Sequence, residues 1–238
     1  MNKLKGGVLA IGSLLWDEVE LRNKWRKKHL NIEGIKNVKL PIRYGKLSNS
    51  RKSSYTMVFS HECLDIAKMG NGKFIPFKNN PLNFGDLNIE CKELIKAEKK
   101  KDWNENRYNW GWGTVAIMFN PKILKEDNPN FNLGKYFLKE WKTKIRNGFN
   151  QNHYKVSIEK PILDEKAILN FSWPNELNDY DFFIATSNKP ELEKYPTSKE
   201  IAEKIIKGKS DYFSKNRKHN ITTFQDKSIE KKLNNETN

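Results

Sequence analysis

An apolar run from Val8 to Ile11 that stops at a Gly-Ser pair constrains the fold of this chain more than any other segment. Consecutive aliphatic and β-branched residues predict a strand buried on both faces of a sheet. Gly12 allows a tight turn after this strand and lets a ligand approach the main chain closely. The segment therefore predicts a strand that ends at a ligand-binding loop. An ordinary strand-to-helix connection needs the glycine equally and stays an alternative.

The turn itself, Gly12-Ser13-Leu14, offers main-chain donors rather than a nucleophile. If the amides of Ser13 and Leu14 point outward together, they form a small concavity suited to a carboxylate or another anion. A nucleophilic Ser13 is disfavoured, because the segment is not Gly-x-Ser-x-Gly and no histidine is arranged nearby as its base.

Helical and strand patterns alternate irregularly along the rest of the chain, which favours an α+β fold over a doubly wound sheet. Helical spacing predicts a first helix over residues 17–30, in which Arg22 and Arg26 belong to the solvated face. Apolar runs predict strands at Val38–Tyr44, Tyr55–Phe59, Gly113–Phe119 and Asp181–Ala185. Further helices are predicted from Asp86 to about Lys101, from Leu133 to Arg146 and around Ile201–Ile206.

The chain length of 238 residues and its composition suit one main domain with additions. We expect this domain to span residues 1–160 and a C-terminal elaboration packed on it to span 161–210. Residues 211–238 are polar and basic, and we expect a partly disordered tail there.

The charge of the chain is a formal +15, and its first 60 residues hold thirteen basic and four acidic side chains. Such a field attracts anions: nucleic acid, nucleotides or an acidic small molecule. The same charge also fits a compositional bias, because lysine is frequent throughout. No apolar run approaches the roughly 20 residues that span a bilayer, so we expect no membrane association. Cys63 and Cys91 are too few for a disulfide framework, which makes the cytoplasm the expected compartment.

The segment Gly12-Ser13-Leu14-Leu15-Trp16 resembles the opening loop of the gamma-glutamylcyclotransferase-like superfamily, most closely the Gly-Ser-Leu-Ile-Trp form of its ChaC-like branch. The chain departs from that family at Ile11, where a tyrosine is usual. The resemblance implies a small mixed β-barrel or curled sheet flanked by helices, here with a C-terminal extension. It also implies that the main chain of Ile11, Gly12, Ser13 and Leu14 binds the glutamyl end of a substrate.

The reaction that this resemblance implies is intramolecular aminolysis of a γ-glutamyl amide, which releases 5-oxoproline and an amine. A glutamate takes a proton from the α-amine of the substrate and returns it to the departing amine, so that no metal or redox cofactor is required. Glu140 is the first candidate for this glutamate, because aromatic residues flank it after the strand Gly113–Phe119. Glu98 is the second candidate. Either residue could instead be a solvated glutamate on a helix surface.

A basic segment at the end of the second predicted strand is a candidate anion clamp. Arg43 and Tyr44 precede Gly45, and Arg51 follows shortly afterwards. Arginine offers a planar fork that matches a carboxylate, so Arg43 and Tyr44 are expected to orient the substrate. A charged strand edge explains the same residues without a ligand.

Metal binding has little support in the sequence. His61-x-Cys63 is the only close His/Cys pair, and it lacks a second pair at ligand spacing. No nucleotide fingerprint is present either. Two alternatives to the cyclotransferase hypothesis stay open: a catalytically inactive relative that binds an anionic metabolite or nucleotide, and a basic protein associated with nucleic acid.

Overall fold

The computed structural model describes residues 3–98, 107–145 and 149–235. The strands are β1 (Gly6–Ala10), β2 (Lys36–Leu40), β3 (Ile42–Ser48), β4 (Ser54–Phe59), β5 (Gly70–Pro76), β6 (Asn109–Trp110), β7 (Gly113–Phe119) and β8 (Phe182–Asn188). The helices of these ranges are α1 (Glu20–His29), α2 (Phe84–Glu98), α3 (Phe131–Lys144), α4 (Ser198–Gly208), α5 (Tyr212–Lys218) and α6 (Asp226–Asn235). None of these helices is long and apolar enough to cross a bilayer.

Six strands form one curled sheet in the order β2-β5-β1-β8-β7-β6. The central pair, β1 and β8, runs parallel, whereas the other neighbours run antiparallel. The expected α+β fold with a curled sheet flanked by helices is therefore confirmed.

Side chains alternate along each strand and so point to both faces of this sheet, and each face is covered by a hydrophobic core. Val8 and Ala10 point into a core that includes residues of α1, α2 and α3. Leu9 and Ile11 point into a second core, which includes residues of β3, β4 and the last three helices. β1 is buried along its whole length, as the apolar run predicts.

Pro41 divides the single strand expected over Val38–Tyr44 into two. β2 stays in the large sheet, whereas β3 leaves it and pairs with β4 as a separate hairpin. Proline has no N–H to donate and fixes its φ angle, so it is a suitable point for a strand to leave a sheet.

β8 comes from the segment expected to be an elaboration, residues 161–210, but it lies in the centre of the large sheet between β1 and β7. Its residues from Phe182 to Ser187 are buried, and so apolar a strand needs cover on both faces. Residues on both sides of position 160 thus build one sheet.

The segment expected to be a partly disordered tail, residues 211–238, instead contains α5 and α6 within its described part. Tyr212 and Phe213 of α5 and Ile229 of α6 are buried in the second core. The correction follows from helical spacing, because a few apolar side chains on one face are enough to dock a helix that is otherwise polar.

Candidate functional site

A cavity of about 720 Å³ lies where β1 ends. Its walls come from distant parts of the chain: the turn after β1, the end of β3 with the loop that follows, the end of α2, and single residues of other elements. The residues that line it include Ile11, Gly12, Ser13, Leu14, Asp17, Arg22, Lys46, Arg51, Glu98, Trp112 and Tyr212.

The turn after β1 has the geometry of a single helical turn. The amide of Leu15 donates to the Gly12 carbonyl (3.2 Å), and the amides of Trp16 and Asp17 donate to the Ser13 carbonyl (3.2 and 2.8 Å). The amides of Ser13 and Leu14 come before these bonds, as do the unpaired amides at a helix N-terminus. Within the described residues neither amide donates a hydrogen bond. Two main-chain donors at the cavity wall are thus left for a ligand.

Gly12 is required by a close neighbour rather than by its own backbone angle. A Cβ atom built on Gly12 would lie 2.4 Å from the hydroxyl oxygen of Tyr212. This hydroxyl accepts a hydrogen bond from the Met57 amide (3.4 Å), which keeps α5 against the hairpin. The absence of a side chain at position 12 therefore brings α5 to the cavity wall.

Arg22 joins the turn to the end of α2. Its guanidinium group donates to the Ser13 hydroxyl (3.1 Å), to Asp17 (2.8 Å) and to Glu98 (2.6 Å), and its Nε donates to the Ala97 carbonyl (3.0 Å). The side chain is only 11% exposed. The expectation of a solvated Arg22 is thus wrong, because two carboxylates from outside α1 compensate its buried charge.

Asp17 also forms an ion pair with a second arginine, from across the cavity. Arg51 forms an ion pair with the same carboxylate oxygen and lies over the Trp16 ring. Burial by itself would raise the pKa of Asp17, but the hydrogen bond from Arg51 and the charges of both arginines outweigh it and lower the pKa. Asp17 is therefore a stable anion that fixes Arg22 and Arg51 at the cavity.

The structure places the two candidate glutamates differently. Glu98 is the last residue of α2, its side chain is 11% exposed, and it lines the cavity with the turn after β1. Glu140 lies in α3, is half-buried and is not part of the cavity wall. The cavity thus combines Ile11–Leu14 with the second candidate rather than the first. The role of either glutamate in a reaction stays a prediction.

Arg43 and Tyr44 lie outside the wall of this cavity. Arg43 pairs with Glu62 (2.6 Å) and stacks on the Tyr195 ring, 4.0 Å from its centroid. Tyr44 is buried in the second core. An irregularity in the β3–β4 pairing follows Tyr44, and the next residues of β3, from Lys46 onward, are the ones that reach the cavity. The basic residues of this segment that line the cavity are therefore Lys46 and Arg51 rather than Arg43.

Several cavity residues were not singled out as site residues from the sequence, chiefly Asp17, Arg22, Trp112 and Tyr212. Asp17 and Arg22 could have been predicted as site residues, because both follow the turn closely in sequence and are therefore expected near it in space. Trp112 and Tyr212 could not have been predicted in this way, because only the packing of β7 and α5 brings them to the end of β1.

Metal-binding side chains do not gather here. Over the described ranges no group of three His, Cys, Asp or Glu residues could hold a metal ion. Cys63, of the His61-x-Cys63 pair, is buried, and this burial raises the pKa of its thiol to about 11. A comparison with known protein families, curated proteins and solved structures finds no match for this chain.

Proposed function

We propose that the cavity binds a γ-glutamyl amide and cleaves it by intramolecular aminolysis, releasing 5-oxoproline and an amine. The observation that carries this proposal is the meeting of Glu98 with the Ile11–Leu14 turn at one cavity, although the two are far apart in sequence. It joins a carboxylate that can carry a proton to main-chain amides that can hold an anionic oxygen.

In the proposed reaction Glu98 removes a proton from the α-ammonium group of the substrate. The resulting amine attacks the γ-carbonyl carbon, a new C–N bond closes the five-membered ring, and the carbonyl oxygen becomes negatively charged. The Ser13 and Leu14 amides stabilise this oxygen. The bond to the leaving nitrogen then breaks as Glu98 donates its proton to that nitrogen. The ring nitrogen gives up its own extra proton to the departing amine, which leaves as an ammonium ion, so that 5-oxoproline forms as a neutral lactam.

Arg22 is a positioning residue for this step. It contacts Glu98 at 2.6 Å while it is held by the Ser13 hydroxyl and the Ala97 carbonyl. A carboxylate held in this way loses less conformational entropy when it contacts the substrate amine.

The cations at the cavity are suited to bind the anionic groups of the substrate. Arg51 keeps guanidinium donors beyond its contact with Asp17, and we assign it the α-carboxylate of the glutamyl group. Lys46 lies further along the same wall. A volume of about 720 Å³ exceeds the need of a glutamyl group and leaves room for a leaving group the size of an amino acid or a dipeptide.

The decisive experiment measures 5-oxoproline release from a panel of γ-glutamyl amino acids, γ-glutamyl amines and glutathione. Glu98→Gln keeps the shape of the side chain but cannot carry the proton, so we expect a loss of about a hundredfold or more in turnover. Glu140→Gln is the matched control and should keep wild-type turnover. Melting temperatures of both variants show that the fold is intact.

Two results would count against the proposal in different ways. Full activity of Glu98→Gln would remove Glu98 from the mechanism and leave the reaction standing. No product from any substrate, with a stable protein, would remove the reaction itself.

A binding protein for an anionic metabolite or nucleotide is the second candidate. It is favoured by the ion pair between Arg22 and Glu98, which occupies the carboxylate, and by Ile11, which offers no hydroxyl at the cavity. A ligand that binds the native state raises the melting temperature. Stabilisation by nucleotides but not by γ-glutamyl compounds would support this candidate over the enzyme.

A further inference from the structure

A second cavity, of about 540 Å³, lies against the same turn as the first. Leu14 lines the first cavity and Leu15 lines the second, so the turn separates the two. We refer to this second one as the rear cavity. It is built by α1, the segment after it, β5 and the end of α5.

The charges around the rear cavity are all of one sign. Arg26, Lys27, Lys73 and Lys218 line it together with His219, and its wall contains no carboxylate. None of these four cations takes part in an ion pair with a described residue. The charges of Asp17 and Glu18 act on Arg26 and partly offset its charge, but the four cations still converge on one cavity, where an anion would relieve their mutual repulsion.

Two of these residues are held in unfavourable surroundings. Lys73 is 9% exposed, and its ammonium group contacts the amide oxygen of Asn37 rather than a carboxylate. Burial lowers the pKa of Lys73. Burial, and then the charges of Lys218, Lys73 and Arg26, lower the pKa of His219. The converging cations therefore carry an electrostatic cost that a bound anion would offset.

Beside these cations and two asparagines, Asn23 and Asn220, the cavity has an apolar wall. Leu15, Ile32 and Ile35 line the same cavity, and Ile32 is 44% exposed. Cations beside an apolar wall suit a ligand with an anionic head and an apolar or aromatic body.

We propose that the rear cavity binds a small molecule that carries a phosphate group, with the phosphate among Arg26, Lys27, Lys73 and Lys218 and the apolar body against Leu15, Ile32 and Ile35. This site is separate from the first cavity and does not depend on the function proposed for it.

Arg26 connects such a ligand to the first cavity. Its guanidinium group donates to the Leu14 carbonyl and to the Asp17 carbonyl, both at 2.7 Å. The same side chain contacts the amide oxygen of Asn23 and still has N–H groups left for a phosphate. A ligand bound to Arg26 would therefore contact the guanidinium group that holds the Leu14 and Asp17 carbonyls of the turn after β1.

The test is a calorimetric titration of the full chain at low salt with adenosine diphosphate as the probe and adenosine as its uncharged counterpart. Lys27→Gln/Lys218→Gln removes two exposed cations from the rear cavity. Lys28→Gln/Lys227→Gln removes two exposed cations that do not line it, so the net charge of both variants is the same.

We expect the rear-cavity variant to bind adenosine diphosphate about tenfold or more weakly than wild type, because each lost contact is charge-assisted. The control variant should bind as wild type does, and adenosine should bind far more weakly. Three results would overturn the proposal: equal weakening in both variants, equal affinity for the two probes, or no binding of the diphosphate to wild type at millimolar concentration.

Discussion

The contact between Gly12 and Tyr212 shows how one hydrogen atom in place of a side chain can position a cavity wall. We expect Gly12→Ala to displace the Tyr212 ring or the turn and to cost about 1–3 kcal/mol of stability, because the new methyl group would lie 2.4 Å from the hydroxyl oxygen. Urea unfolding measures the loss.

Removal of that oxygen should restore part of the lost stability. The next atom of the Tyr212 ring lies 3.4 Å from the added Cβ, a tolerable distance. In a double-mutant cycle, Gly12→Ala/Tyr212→Phe should therefore be more stable than the sum of the two single effects predicts. Strict additivity would show that the methyl group clashes elsewhere.

At the level of elements, α6 depends on a carboxylate at its first residue. Oδ1 of Asp226 accepts hydrogen bonds from the Thr223 amide (2.8 Å) and hydroxyl (2.7 Å), while its Oδ2 has no partner among the described residues. Burial raises the pKa of Asp226 above its usual 3.8, and the Thr223 hydrogen bonds and the charge of Arg217 only partly oppose this. The folded protein therefore binds this proton more tightly than the unfolded chain does.

A raised pKa in the folded state implies stability that is complete below pH 3.8 and is lost as pH rises through the folded pKa. Asp226→Asn keeps the acceptor for Thr223 and does not titrate. We therefore expect the stability of Asp226→Asn relative to wild type to increase as pH rises from about 4 toward neutrality and then to level off. Urea unfolding over this range measures the difference.

Asp211→Asn is the matched control for the pH series. The hydrogen bond from Lys215 in α5 lowers the pKa of Asp211, so wild type gains stability as pH rises above that pKa. This gain is complete above the unfolded pKa of 3.8, so the relative stability of Asp211→Asn should stay constant from about pH 5 to neutrality, where that of Asp226→Asn still increases. The same trend in both variants would contradict the account of Asp226.

The elements themselves were largely predictable, because most follow from local patterns. The strand at Gly113–Phe119 agrees with β7 residue for residue, and the helices expected near Asp17–Leu30 and Leu133–Arg146 correspond to α1 and α3. The position of β8 in the sheet was not predictable, since strand order depends on contacts between distant segments. The burial of Arg22 was missed for the same reason, because its partner Glu98 comes from a distant segment, the end of α2.

For the molecule as a whole, Arg26 is the side chain that connects the two cavities, because it lines the rear one and holds the turn that lines the first. If both proposals hold, saturation with adenosine diphosphate should change the affinity for 5-oxoproline by about fivefold or more, because both ligands act on the Leu14–Asp17 turn. By thermodynamic linkage 5-oxoproline must change the affinity for the diphosphate by the same factor. Calorimetric titrations of each ligand with and without the other measure both factors. Unchanged affinities would show that the turn does not transmit binding.

The net charge of +15 also belongs to the whole molecule, and it keeps nucleic-acid association as a separate hypothesis. The rear cavity concentrates part of that charge in one place, whereas in the first cavity Asp17 and Glu98 offset Arg22 and Arg51. Binding to nucleic acid would weaken steeply with salt, because phosphate contacts release counterions.

The sequence by itself determined the buried first strand, the turn at Gly12, the mixture of helices and strands and the excess of positive charge, because these depend on the order and type of neighbouring residues. Only the tertiary structure decided which glutamate shares a cavity with the turn, which arginines are buried beside it and which lysines converge behind it. The reason is physical, because charges and hydrogen-bond donors act through space over a few ångströms. No spacing along the chain records that α2, α5 and the β3–β4 hairpin meet beside the end of β1.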